Sequence, residues 1–423
     1  MPSRTPLALI ALLLALQLVT PSVVWTILLV GLATTLGLSF AWLHRLARDV
    51  SLTRRQRGAW VVAGDALEEM WELTNRSVLP VLAAEIVDHS TLPAYTANRV
   101  MAAGPGAITA WRTTAICQQR GLFTLGPWDV IMSDPFGLFS LTQHYDLTQS
   151  ILVYPRVVSL PPLELPRGGV GGRARPTRKA LESDLTVASV RAWAPGDSLR
   201  RVAWGITAHR DALMVREFDQ EPAGNLWIVL DLDAAVQVGQ GLDGTEEFTI
   251  VLAASLAAHW LRRNRAVGIV AFGREPLLLP PQRGEAQLWR ILHGLAASDT
   301  SPAWPLARTL TAIRSSLGYG ITLAVITPTT QADWLPAFLL LQARGVAPAA
   351  ILLDAASFAE PPAPTPGAAA LALRAILARQ GITTHLLDRR LALRPLITYR
   401  RTRTDLRTLA TGRVISRDVV EEV

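Results

Sequence analysis

Two runs without any charged side chain stand near the start of the chain, and they constrain its fold more than any other feature. The first covers residues 6–20 and the second covers residues 23–43, with Pro21-Ser22 between them. At about 1.5 Å per residue, a helix over the second run would span roughly 30 Å, the thickness of the hydrocarbon core of a bilayer. The first run is shorter and would need local thinning of the bilayer. The pattern predicts a transmembrane helical hairpin over residues 1–45.

Positive charge follows the second run. The arginines at its exit are Arg45, Arg48, Arg54, Arg55 and Arg57, whereas the turn between the runs has none. Because positively charged segments tend to stay in the cytoplasm, both ends of the hairpin and the soluble domains are expected there, on a protein of the cell membrane. The arginines are expected either to contact anionic headgroups or to form a solvated basic linker. A cleavable signal peptide is the alternative for the first run, but the apolar pattern resumes at once and no clear cleavage site is present.

Short apolar stretches broken by turns fill residues 46–158, and they predict a small β-sandwich. The predicted strands cover residues 60–63, 68–73, 81–87, 107–114 and 151–154. The turn Asp134-Pro-Phe-Gly is interpreted as a structural turn that carries an aromatic plug.

Glycine and proline are frequent in residues 159–187, which favours a linker. After a connecting segment at residues 188–224, strands and helices alternate over residues 225–423. Such alternation is typical of a mostly parallel sheet with helices on both faces. The predicted fold class is therefore α/β plus all-β: the hairpin, the sandwich, and a doubly wound α/β domain.

The connecting segment holds an unusual group of turn, charged and tryptophan residues. Pro195 and Gly196 suit the two central positions of a type II turn, and Asp197 can cap the N–H groups that follow. Trp193 and Trp204 flank this turn, and we expect them to pack together unless one is exposed as an interface anchor. The candidate motif or docking residues are Arg191, Trp193, Pro195, Gly196, Asp197, Arg200, Trp204, Arg216 and Glu221.

This motif resembles the family called domain of unknown function 58, whose pattern reads roughly R-x-Y-x-P-G-D-x-x-R-x-I-x-W, followed by L-x-V-[KR]-x-x-x-x-E. The departures are mild: Trp193 stands for the tyrosine and Val202 for the isoleucine. The resemblance implies a C-terminal domain like that of von Willebrand factor type A. It also implies as partners a MoxR-type AAA+ ATPase and other membrane or von Willebrand A-domain proteins. The expected function is that of a non-enzymatic scaffold in the assembly or maturation of envelope or other complexes.

Two carboxylates follow the first strong strand of the α/β region, at the place where open α/β sheets bind ligands. By resemblance, von Willebrand A domains hold a divalent cation here with D-x-S-x-S on this loop and with a threonine and an aspartate from later loops. Asp231 and Asp233 could bind Mg²⁺, but Ala235 cannot, and Thr327 stands where the pattern requires an aspartate. We therefore expect no cofactor, and a metal-dependent adhesion module remains an alternative.

Enzyme signatures are absent from the sequence: it has no H-E-x-x-H, no G-x-S-x-G and no phosphate-binding G-x-x-x-x-G-K. The set Asp197, Arg200, Arg216 and Glu221 could form an acid–base cluster of an uncharacterised hydrolase or transferase, but an ion-pair network is the stronger interpretation. The net charge of +7 is spread along the chain without a basic helix carrying interleaved aromatics, so nucleic acid is not expected as a partner.

Overall fold

The structure, a computed structural model, describes residues 4–56, 58, 60–166, 187–194, 202, 204, 207–208, 212–218, 224–239, 241–360, 367–390, 394–395, 400–408 and 414–422. The chain divides into two compact units, Met1–Tyr154 and Pro155–Val423. The first is built from two N-terminal helices and mostly antiparallel sheets, and the second from a mostly parallel sheet with helices.

The first unit opens with the helices α1 (Arg4–Val19) and α2 (Val23–Asp49), which pack against each other. Ser22 caps α2, because its hydroxyl oxygen accepts a hydrogen bond from the N–H of Val24 at 3.3 Å. Within the described residues, α2 is the helix long and apolar enough to cross a membrane, whereas the apolar part of α1, Ala8–Val19, is shorter. The structure therefore supports one potential membrane span, and the second remains a prediction.

Ten strands of the first unit follow within its described residues: β1 (Val50–Gln56), β2 (Trp60–Val62), β3 (Ala66–Asn75), β4 (Val81–Asp88), β5 (Arg99–Ala103), β6 (Ile108–Ile116), β7 (Gly121–Leu125), β8 (Trp128–Ser133), β9 (Ser140–Tyr145) and β10 (Gln149–Tyr154). They form three sheets in the orders β1-β3-β6, β5-β4-β8-β9 and β2-β10-β7. Burial alternates along β3, as expected of a strand with one face on a core. The result is the sandwich-like region that the sequence predicts.

Tryptophans fill the core of this region. Trp71 stacks on Trp111 with ring centroids 5.9 Å apart, and it meets the edge of Trp128 at 5.4 Å. The last turns of α2 belong to the same core, since Leu43 and Leu46 are buried within it. The helix thus continues without interruption from its apolar half into the β-region.

Arg54 corrects one expectation from the sequence. Instead of facing a membrane, it lies buried in β1, where Nε and Nη2 bind the two carboxylate oxygens of Glu69 at 3.0 and 2.9 Å. Its Nη1 donates to Asp88 at 3.0 Å, and Nη2 donates to the hydroxyl of Tyr95 at 3.0 Å. Burial alone would lower the pKa of Arg54, but the hydrogen bond to Glu69 and the surrounding charges raise it. A strand pairing between β1 and β3 explains the difference, because it places Arg54 in the interior.

The second unit has the helices α3 (Thr245–Arg262), α4 (Glu285–Ala296), α5 (Leu306–Ala312), α6 (Leu335–Ala343), α7 (Ala355–Phe358) and α8 (Ala368–Arg379). Its strands are β11 (Val158–Ser159), β12 (Val187–Ala192), β13 (Met214–Phe218), β14 (Leu226–Leu230), β15 (Val267–Phe272), β16 (Pro276–Gln282), β17 (Thr322–Thr327), β18 (Ala347–Leu353), β19 (Thr383–Leu387), β20 (Arg394–Pro395), β21 (Arg400–Thr408) and β22 (Val414–Glu422).

The main sheet has the order β16-β15-β14-β17-β18-β19. The strands β14, β15 and β17 are buried along their whole length, which explains why they are apolar without alternation. One face carries Trp227 and Val229 into a core with α5, α6 and α8, while α3 packs on the other face. The chain leaves β14 for its neighbour β15 and later returns to β17 on the opposite side of β14. The order of the strands therefore reverses between β14 and β17, which is a topological switch point.

The edge strand β16 is absent from the sequence-based expectations. Its sequence, Pro276 to Gln282, contains three prolines, which cannot donate to a sheet ladder. The strand is antiparallel to β15 and ends the sheet on that side. Proline is tolerated there because an edge strand pairs on one side alone.

Candidate functional site at the switch point

The candidate site lies where β14 and β17 end side by side. These strands are parallel and paired as far as Leu230 and Ile326, so the residues that follow meet at the same edge of the sheet. Thr327 donates its hydroxyl hydrogen to Oδ2 of Asp231 at 2.5 Å. The structure thus brings Asp231 and Thr327, 96 positions apart in the chain, into direct contact at the switch point.

Backbone groups hold the rest of the loop after β14. Oδ1 of Asp231 accepts from the N–H of Asp233 at 3.2 Å, and Oδ1 of Asp233 accepts from the N–H of Ala235 at 3.0 Å. Gln237 donates its side-chain amide to the carbonyls of Asp231 and Asp233 at 3.0 and 3.3 Å. Thr245, the first residue of α3, donates to Oε1 of Gln237 at 2.7 Å. These bonds close the loop on itself and join it to α3.

Burial changes the acidity of Asp231. It raises the pKa of this carboxyl from 3.8 to about 6, against the lowering effect of hydrogen bonds from Thr327 and from the N–H of Asp233. The negative charges of Asp233 and Asp333 raise the pKa further. A substantial share of Asp231 is therefore protonated in mildly acidic solution, where an unpaired surface aspartate would be ionised.

The donor set at this edge fits a divalent cation poorly. Both oxygens of Asp231 already accept hydrogen bonds, and Ala235 offers no side-chain ligand. At the position where the metal-binding pattern has an aspartate, this chain has Thr327, and its hydroxyl donates to Asp231. Among the residues that the structure describes, no group of three or more histidine, cysteine, aspartate or glutamate side chains is arranged to hold a metal ion.

The family motif is placed in part. Its backbone at Arg191 and Arg216 lies in the two-stranded sheet of β12 and β13, where Arg191 pairs with Val215 and Val190 pairs with Arg216. Pro195, Gly196, Asp197, Arg200 and Glu221 lie outside the described residues, and with them the proposed Asp197 cluster. The roles of all these residues therefore stay predictions.

The two motif tryptophans differ in exposure. Trp204 is 63 % exposed, whereas Trp193 is half-buried. The backbone N–H of Trp193 donates to the carbonyl of Leu213 at 2.8 Å. Mutual packing and an interface anchor both stay predictions for this pair.

The network around Asp231 includes residues that sequence reasoning did not select. Gln237 and Thr245 form its second layer, and the N–H of Thr329 donates to the hydroxyl of Thr327 at 3.0 Å. Thr245 could have been selected from the sequence, because it is a polar residue at the start of a strongly apolar helix. Gln237 gave no such signal, because its partners are mainly backbone carbonyls.

Part of the chain, including this edge of the sheet, matches a known family model. Residues 189–348 match the family model described as "Protein of unknown function DUF58". The matched segment runs from the motif strands through β14 and β17 to the start of β18. This match confirms, over residues 189–348, the resemblance that the motif indicates.

Relatives extend the similarity beyond that segment. The protein YeaD of Bacillus subtilis (strain 168), described as uncharacterized, is 25% identical over 268 residues, which are 62% of this chain and 65% of YeaD. Rv1480 of Mycobacterium tuberculosis (strain ATCC 25618 / H37Rv), also described as uncharacterized, is 27% identical over 116 residues, 27% of this chain and 36% of that protein. The chain thus spans less than two thirds of these relatives.

Similarity to solved structures is slight. A CARDB domain from Pyrococcus furiosus is 13% identical and covers 25% of this chain and 94% of that domain, with a TM-score of 0.20. At this score the likeness supports no assignment of fold or function.

Proposed function

We propose that the chain is a membrane-anchored, non-enzymatic protein-interaction protein, and that the loops at the switch point form its docking surface. The observation that carries the proposal is the hydrogen bond between Asp231 and Thr327. This bond pairs the buried polar side chains at this edge with each other. The side chains that remain exposed to solvent there are small or polar. These are Ala234, Ala235, Thr330, Gln331 and Asp333.

The anchor of this protein is α2, with α1 as a second membrane helix, and the soluble units face the cytoplasm. The apolar length of α2 and the basic residues after it support this arrangement. The α/β unit is proposed to be of the von Willebrand A type, because an aspartate-containing loop follows the strand at the switch point of a parallel sheet. The docking function is proposed to be independent of metal, since Ala235 and Thr327 add no acidic ligand to Asp231 and Asp233.

The partner proposed for this surface is a MoxR-type AAA+ ATPase, in a complex that can include other membrane or von Willebrand A-domain proteins. This part of the proposal rests on the family resemblance. The process served is assembly or maturation of envelope or other protein complexes.

Affinity capture from native membranes tests the proposal. Full-length wild type is compared with Ala234→Arg and Asp333→Arg, which place a new charge on the docking surface without entering the core. Glu285→Arg is the matched control, because Glu285 is exposed at the opposite edge of the sheet, beyond the end of β16. Mass spectrometry is expected to find an AAA+ ATPase with wild type and control, and to find it depleted with both docking variants.

Two outcomes would contradict the proposal in different ways. If wild type enriches no protein over a mock capture, the interaction function loses its support. If the two docking variants retain the same partners as Glu285→Arg, the surface lies elsewhere on the chain.

A further inference from the structure

Two rigid loops of the β-region present apolar side chains to solvent beside α2. The first loop covers residues 75–80. The amide of Asn75 donates to the carbonyls of Leu79 and Gly104 at 2.8 and 2.9 Å, and its Oδ1 accepts from the hydroxyl of Ser77 at 2.8 Å. Both Asn75 and Ser77 are buried, whereas Val78 between these fixed points is 76 % exposed.

The second loop covers residues 134–139. The carboxylate of Asp134 accepts hydrogen bonds from the N–H groups of Phe136 and Phe139 at 3.0 and 2.6 Å, which fixes the turn. Phe136 is 63 % exposed. The sequence predicts an aromatic plug at this turn, and the structure leaves the ring of Phe136 largely exposed. We call residues 75–80 and 134–139 the rim loops.

An apolar groove of roughly 440 Å³ lies between the rim loops and α2. Its lining consists of Leu38, Ser39, Ala41, Trp42, Leu79, Pro135 and Phe136. Phe40 stands next to it, 62 % exposed, with its ring against the edge of Phe139 at a centroid distance of 6.4 Å. Rigid loops that expose large apolar side chains around such a groove are unfavourable in water, which marks the surface as one that is covered in use.

The position of this surface along α2 identifies what covers it. From Val23 to Phe40 the helix rises by about 26 Å, close to the thickness of a bilayer's hydrocarbon core. Phe40 and the rim loops therefore stand at the level where the hydrocarbon ends. Exposed basic residues follow at the depth of the headgroups: His44, Arg45 and Arg48 on α2, and Arg76 on the first rim loop.

We propose that the rim loops dip into the bilayer interface, with Val78 and Phe136 among the lipid chains and the groove filled by acyl groups. The inference rests on the membrane anchoring proposed above and adds a second point of contact to it. The β-region then sits on the membrane surface instead of standing clear of it, in the manner of amphipathic elements that bury their apolar side at the headgroup boundary.

An environment-sensitive fluorophore placed at single cysteines tests this contact in the full-length chain. Cys117 is buried and is replaced by alanine, and one cysteine is then introduced by Phe136→Cys, Leu28→Cys or Ile116→Cys. Leu28 lies in the apolar first half of α2 and reports on the anchor. Ile116 is the control, because it is exposed like Phe136 but lies at the far end of β6, opposite to the end where β3 reaches the first rim loop.

Each labelled variant is reconstituted in vesicles of phosphatidylethanolamine and phosphatidylglycerol, with or without lipids that carry a spin label on the acyl chain near the headgroup. At position 136 we expect blue-shifted emission that the spin label near the headgroup quenches. At position 28 we expect blue-shifted emission that a spin label deeper in the acyl chain quenches. At position 116 we expect water-like emission that neither label quenches.

The remaining outcomes overturn the inference and separate it from the anchor. Lipid-like emission at position 28 with water-like emission at position 136 would leave the anchor intact and remove the contact of the rim loops. A blue shift at position 136 without quenching would show that protein covers the surface, such as a second copy of this chain. Water-like emission at position 28 would remove the anchor, and the rim contact with it.

Discussion

The hydroxyl of Thr327 and the carboxyl of Asp231 share a hydrogen bond of 2.5 Å that joins the ends of β17 and β14. The two strands are neighbours whose onward connections run in opposite directions, so their ends would otherwise be held together by main-chain pairing alone. Because both side chains are buried, the bond is shielded from water and neither group has solvent as a substitute partner.

Removing the hydroxyl is expected to loosen this edge. Thr327→Val leaves a buried oxygen of Asp231 without its donor, which costs about 1–3 kcal/mol. Hydrogen exchange of the β14 and β17 amides measures this as a lower local free energy of opening. Thr330→Val, at an exposed position three residues further on, is the control and is expected to leave the exchange unchanged. Equal effects of the two substitutions would mean that the Thr327 hydroxyl does not hold the edge.

The stability of the α/β unit is expected to fall as pH rises through the range in which Asp231 ionises. Its pKa in the folded chain is about 6, against 3.8 ordinarily, so between these values the folded state holds a proton that the unfolded state has lost. Asp231→Asn removes this dependence and stabilises the unit above pH 6 by at most about 3 kcal/mol, the equivalent of the shift. Melting temperatures of wild type and variant, measured across that pH range, should diverge as pH rises. Glu285→Gln, at an exposed position on the opposite edge of the sheet, serves as the control, and parallel curves for wild type and Asp231→Asn would contradict the assignment.

Divalent cations are expected to leave the protein's melting temperature unchanged. A ligand that binds the folded state alone stabilises it in proportion to the logarithm of its concentration over its dissociation constant, so even weak binding becomes visible at millimolar Mg²⁺ or Mn²⁺. Thermal scans of the full chain with each metal and with chelator make the measurement. A rise in wild type that disappears in an Asp231→Asn, Asp233→Asn double variant would instead support a metal-dependent adhesion module.

Arg54 and Arg55 are adjacent in the sequence but are expected to respond very differently to substitution. Arg54→Met leaves the carboxylates of Glu69 and Asp88 buried without their cation, a change that typically costs about 3–5 kcal/mol. The side chain of Arg55 is 72% exposed and reaches Glu72 at 3.7 Å, so Arg55→Met should change stability by less than about 1 kcal/mol. Thermal or denaturant unfolding of both variants checks the contrast. Similar losses would show that the buried ion-pair network does not stabilise the β-region.

The α/β unit was predictable from sequence because its signals are local. Apolar strands without alternation and apolar helices of ordinary length follow each other from β14 to β19, in the alternation that the sequence predicts for residues 225–423. Where the signal was ambiguous, prediction failed. The prolines of β16 hide an edge strand, and the consecutive arginines of β1 look like a juxtamembrane segment until a partner strand buries one of them.

The candidate site could be predicted in position but not in chemistry. The carboxylates at 231 and 233 follow from the rule that ligand sites lie beyond the ends of parallel strands. The direct bond between Thr327 and Asp231 forms because β17 lies beside β14. The order of the strands in the sheet cannot be read from a local sequence pattern. Phe136 shows the same limit, because a turn sequence indicates that an aromatic side chain is present but not which way it faces.

The unbroken course of α2 has a mechanical consequence. Leu43 and Leu46 of the helix are buried in the core of the β-region, and Gln143 of β9 donates to the carbonyl of Ala47 at 2.6 Å. The apolar part of α2 is therefore joined to the β-region without a hinge. A tilt or an axial rotation of α2 therefore becomes a swing or a turn of the entire β-region. In the membrane-anchored arrangement that we propose, changes of bilayer thickness that alter the tilt of α2 would therefore move the β-region with it.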